Sequence, residues 1–96
     1  MYRRTYERFE QNSSAILVFS NSTEEKFILE NISTRGVGVV GYRPLQINDK
    51  VTITFQVPQL FDKPIRKAAK VVWSKMVNES LWEGGLDFGL DNMLNF

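Results

Sequence analysis

Arg3, Arg4 and Arg8 crowd the start of the chain, and Asn31, Ser33 and Gly36 fall together in a polar stretch further on. A guanidinium can fork onto phosphate oxygens or the O6/N7 edge of guanine, and it can stack on a flat ring. Asn31 carries donors and an acceptor for a base edge, while Ser33 can give its hydroxyl to a phosphate or hold a turn. Gly36 lets backbone approach a ligand or adopts a positive φ. Singly, Asn31, Ser33 and Gly36 read as turn residues, and three terminal arginines as a solubilising tail. A second basic cluster is Arg66, Lys67 and Lys70.

Other chemistry is poorly supplied. The chain has neither His nor Cys, which excludes disulfides, thiolate metal sites and cysteine nucleophiles and fits a reducing cytoplasm. A serine nucleophile would need a lysine base, and no Ser-x-x-Lys motif occurs. Asp49, Asp62, Asp87 and Asp91 lack metal-ligand spacing. The expectation is a protein that is not an enzyme and holds no metal or cofactor. Gly36 to Gly41 spells G-x-G-x-x-G and Asp87-Phe88-Gly89 a kinase magnesium motif. The first must open a helix, whereas Val37, Val39 and Val40 continue a strand, and the second needs a far longer domain. Four Asn-x-Ser/Thr sequons, at Asn12, Asn21, Asn31 and Asn78, carry no weight without a secretory route.

These side chains must be positioned by one small domain. Ninety-six residues, 43% hydrophobic and 12% aromatic, fit a single core; Trp73 and Trp82 could stack on bases, but in a core this small they read as packing anchors. The longest apolar run, Ala15 to Phe19, is too short for a signal core or a membrane span. Net charge is +1, which disfavours binding of nucleic acid by bulk electrostatics.

Short β-rich runs alternate with polar turns, so the fold class expected is all-β. Ser14 to Ser20 and Lys26 to Ile32 form a hairpin across a turn at Asn21 to Glu25. Val51 to Val57 alternates strictly, turning Val51, Ile53, Phe55 and Val57 inward. Pro58 and Pro64 bracket a loop. Ile65 to Val77 is long enough for a helix, but its β-branched Val71-Val72 centre predicts a long strand. Trp82 to Leu90 is the last strand, with Gly84-Gly85 as a bulge or tight bend, and Asp91 caps a short terminal turn containing Met93, Leu94 and Phe96. Residues 1–12 lack period-two patterning and read as an arm outside a barrel of residues 13–96.

Arg4-x-x-x-Arg8 followed by Asn31-x-Ser33-x-x-Gly36 resembles the PilZ family, whose ligand signature is Arg-x-x-x-Arg and then Asp/Asn-x-Ser-x-x-Gly at a strand turn. The similarity continues through Ala69-Lys70-Val71-Val72-Trp73 and Gly85-Leu86-Asp87-Phe88. It implies a six-stranded antiparallel split β-barrel with a flexible N-terminal arm and at most a short C-terminal helical turn. It also implies a receptor for the second messenger cyclic di-GMP, held by Arg3, Arg4, Arg8, Asn31, Ser33 and Gly36. Ordering of the arm would be the signal, and the partner a protein of motility, adhesion or exopolysaccharide systems. Two departures bear on that output: the chain begins almost at the first arginine, and its tail after Asp91 is short for the C-terminal helix of many members. The alternatives are a protein-protein adaptor, for which the signature has no evident use, and a nucleic-acid-binding barrel using Arg66, Lys67 and Lys70.

Overall fold

The computed structural model describes residues 9–58 and 61–95, with side chains from Ser13 onward. Six strands close into one antiparallel barrel: β1 (Phe9–Phe19), β2 (Glu24–Ile32), β3 (Gly36–Gly41), β4 (Lys50–Phe55), β5 (Ile65–Met76) and β6 (Trp82–Asp87), in the order β1-β2-β3-β6-β5-β4 with β4 back on β1. Closure removes the unpaired strand edges that an open sheet would leave to aggregate.

Alternation dictates the core. Val51, Ile53 and Phe55 of β4 are buried, as is Val57 beyond it, while Thr52 and Thr54 face outward. Leu17 of β1, Phe27 and Leu29 of β2, Val37 and Val39 of β3, Val71 of β5 and Leu86 of β6 complete the interior. Phe55 stacks on Phe88, just past β6, with ring centroids 6.4 Å apart and planes 5° from parallel. The β1–β2 turn is built by Asn21, whose Oδ1 accepts from Thr23 N at 3.0 Å, and by Ser22 at φ 70°.

Four expectations change. β1 begins at Phe9, so residues 9–12 belong to the barrel strand; Phe9 stands opposite Ile32 and Glu10 opposite Asn31, with a bulge before Ser13 that hides the pattern from the sequence. The bulge expected at Gly84-Gly85 lies instead on the facing strand, at Val72, where β5 slips one residue against β6. The terminal turn is a single 3-10 turn (Leu90–Asn92) with Gly89 at its N-cap and no side-chain cap, so Asp91 lies within the turn; Phe96 lies outside the described residues. Neither tryptophan is in the core: Trp73 and Trp82 are both half-exposed.

The tail closes one end of the barrel. Leu94 is buried and its N–H donates to Thr34 O at 2.8 Å, while Asn92 accepts from Lys67 Nζ at 3.1 Å. Among the described residues no helix is long and apolar enough to cross a membrane.

Candidate functional site

The turn from Ile32 to Gly36 joins β2 to β3. It is tied down on every side by backbone bonds: Ser33 N–H donates to Gly36 O at 2.9 Å, Phe88 N–H to Arg35 O at 2.8 Å and Leu94 N–H to Thr34 O at 2.8 Å. A turn fixed to β6 and to the tail in this way is a rigid platform, which is what a binding site needs to avoid an ordering cost.

The three residues of this stretch have different surroundings. Asn31 is half-exposed, and its amide lies over Gly38 of β3, where a Cβ would come within 2.8 Å of Nδ2 and 3.0 Å of Oδ1. Period-two alternation from the buried Leu29 would send Asn31 inward. A bulge between Leu29 and Asn31 turns it out instead. Ser33 is 2% exposed and its hydroxyl donates to Gly36 O at 3.4 Å, so of its two sequence-level roles the geometry provides the turn-holding one. Gly36 is buried and does not have a positive φ. A Cβ there would run into the carbonyl oxygen of Leu86 and come 3.2 Å from its carbon, so the absent side chain admits the backbone of β6. Arg3, Arg4 and Arg8 lie outside the described residues.

Charge gathers beside the turn on residues that, Lys70 apart, no basic cluster in the sequence marked. Gly36 pairs with Asp87, Asp87 with Lys70 and Lys70 with Lys50, across β3, β6, β5 and β4. Arg35 Nε sits 2.8 Å from Asp87 Oδ1 and its side chain is 42% exposed. Two lysines directly opposite one another repel, which makes the pair receptive to an anion. An open groove of about 520 Å³ runs here, lined by Lys50, Lys70, Thr52, Ala68, Asp87 and Gly89 among others. Lys50, Arg35 and Asp87 become visible only once the register is known.

The second basic cluster does not form a single patch. Arg66 pairs with Thr54 on the outer face, whereas Lys67 pairs with Ile53 and is held by Asn92. Among the described residues no group of three or more Asp, Glu, His or Cys could hold a metal ion.

The model of the PilZ domain family matches residues 2–93. Among solved structures, the Bacillus subtilis inhibitor of motility MotI/DgrA superposes with a TM-score of 0.74 at 18% identity, over 93% of this chain and 44% of that one. PlzA of Borreliella burgdorferi, solved in complex with c-di-GMP, gives 0.67 at 15% identity, over 96% and 36%. The PilZ domain of YcgR from Escherichia coli, solved with c-di-GMP, gives 0.63 at 17%, over 98% and 79%. At such identities these three share the fold, and the chain spans under half the length of the first two. No curated protein matches the chain.

Proposed function

Since the chain belongs to the PilZ domain family, we propose that it is a non-enzymatic receptor for cyclic di-GMP, which it binds on the outside of the barrel between the N-terminal arginines and the Asn31 to Gly36 turn. Two of the structural relatives were solved with that ligand. The observation that carries the reading to these residues is a register. Phe9, bonded to Arg8, stands opposite Ile32, and Glu10 stands opposite Asn31. The arginine motif thus joins the barrel at the end of β2 where the turn begins. Arg4 and Arg8 supply forks for phosphate and guanine, Arg3 a third cation, and Asn31 a base-edge amide. Ser33 and Gly36 hold the turn in place. The signal is ordering of the arm against this face, read by a protein of motility, adhesion or exopolysaccharide systems.

The test is isothermal titration with cyclic di-GMP, beside the Arg4→Ala/Arg8→Ala double variant and a GTP control. Saturable heat is expected from the parent, and loss of most of it in the double variant with an unchanged melt, since each charge-assisted bond contributes about 1.5–3 kcal/mol. A parent that binds nothing, or a double variant that binds as the parent does, overturns the reading.

A further inference from the structure

The barrel closes over only part of the length of β5. Lys50, the first residue of β4, stands opposite Lys70 of β5. One further pair of bonds, Asn48 N–H to Val71 O at 2.8 Å and Val71 N–H to Asp49 O at 2.9 Å, extends that side of the ladder to Val71. β5 continues to Met76, paired with β6 from Lys70 on. Past Val71, nothing among the described residues pairs with its other side. The bulge at Val72 falls at the start of this overhang, so Trp73 to Met76 run in unbroken register against Gly85 to Trp82. A regular stretch of strand with one side unpaired is a template for another chain. The first residues of β1 also lie beyond β4, but a bulge between Glu10 and Ser13 interrupts them.

The direction of each backbone group follows from the hairpin. Val77 N–H donates to Leu81 O at 2.8 Å. Alternating back from it, Lys75 and Trp73 bond to β6, while Ser74 and Met76 turn their N–H and C=O groups to the open side. Side chains alternate between the faces as well. Gly84, opposite Ser74, is covered by the core residue Leu45, so Ser74 and Met76 lie on the inner face and Trp73 and Lys75 on the outer. That cover ends at Gly84, and Met76 is 58% exposed. Ile47, also 58% exposed, precedes the Asn48 that bonds to Val71 and so stands at the head of the open stretch. On the outer face Lys75 is exposed, and although Glu83 is directly opposite it on β6, the two form no ion pair.

We propose that the edge of β5 at Ser74 and Met76 is a docking site for an extended segment of another protein, which adds to the sheet as a further strand. Backbone groups left unpaired at strand spacing are answered by another backbone, and the side chains beside them select its sequence. Met76 and Ile47 call for apolar residues on one face of the segment, and Lys75 for an acidic residue on the other. A second copy of this chain is the poorer occupant. Antiparallel pairing of two such edges would set Lys75 of each on the same face as near cross-strand neighbours, where like charges destabilise. The site is built from β5 alone and is independent of the receptor reading.

The probe is a short synthetic peptide alternating valine and glutamate, titrated into the full chain without nucleotide beside a control alternating valine and lysine. Saturable binding of the acidic peptide is expected, and hydrogen exchange at the Ser74 and Met76 amides, fast in the free chain, should slow when it is bound. Ser74→Pro removes an N–H that faces the edge and none of the ladder to β6. It should melt with the parent and bind the acidic peptide at least about fivefold more weakly. Lys75→Glu should reverse the preference, taking the lysine peptide over the glutamate one. A parent that binds neither peptide, binding that leaves both amides fast, or parental binding by both variants overturns the proposal. So does a free chain in which both amides are already slow: a dimer would give the edge to a second copy, and a monomer to the chain itself. Should Ser74→Pro not fold, the Lys75→Glu reversal and the exchange measurement still decide.

Discussion

Replacing Gly36 with alanine separates two reasons for having a glycine there. Its Cβ would be directed at the Leu86 carbonyl oxygen, with Leu86 C at 3.2 Å and Asp87 Cα at 3.4 Å. All three are backbone atoms in a paired strand, so no flexible side chain can move aside. Relief requires β3 and β6 to part where Gly36 faces Asp87, which also strains the Phe88 N–H to Arg35 O bond next to it. Overpacking of this kind costs about 1–3 kcal/mol. At about 2 kcal/mol, and with roughly 4–8 °C per kcal/mol for a domain of this size, the melt should fall by roughly 8–16 °C. Thermal denaturation followed by far-UV circular dichroism, without ligand, reads this directly. A variant that melts with the parent but no longer binds cyclic di-GMP would refute the reasoning and place Gly36 against the ligand instead of against β6.

Phe55→Ala removes a side chain that is 2% exposed and stacked on Phe88; a loss of about 3–5 kcal/mol in urea unfolding is expected, and parental stability would mean that β4 has the wrong face inward. Arg35→Ala breaks an ion pair whose arginine side chain is 42% exposed, so it should cost at most about 1 kcal/mol in the same assay. A loss of several kcal/mol would make that pair a structural lock. If ligand orders the arm, saturating cyclic di-GMP should slow tryptic cleavage after Arg3, Arg4 and Arg8 relative to cleavage in the same chain with GTP; equal rates would remove arm ordering from the signalling proposal.

The strands whose two faces differ in environment were legible in the sequence. β4 shows it best, because every second residue from Val51 to Val57 is buried and the others meet water. β5 was legible against its helix-compatible length because β-branched residues centre it. Three features were hidden, each by a bulge. An inserted residue breaks the alternation on which the reading depends, so Phe9 to Asn12 read as arm, and no pattern showed that Trp73 and Asn31 turn to the outer face. The Arg35–Asp87 pair joins residues 52 apart, and Lys50 meets Lys70 only through the register of β4 on β5. Residue types could name the candidates on the turn, but only pairing could say which of them look outward.

That distinction changes what the Asn-x-Ser-x-x-Gly stretch does. Ser33 and Gly36 face the protein: one hydroxyl holds the turn's own carbonyl and one missing side chain admits β6. Asn31 is the residue of the three that presents a polar group outside. Buried apolar side chains fill the barrel interior, so the proposed ligand would lie on the outside, where a β-sheet offers little relief of its own. Relief here comes from two bulges and a rigid turn, and the absent side chains of Gly38 and Gly85 let the Asn31 amide and the Trp73 indole lie close over the sheet. Phe9, the residue after Arg8, stands opposite Ile32 at the end of β2. On the proposed receptor reading, affinity would be divided between a preformed surface and a segment recruited to it, with the surface setting which base is accepted and the arginines how tightly it is held.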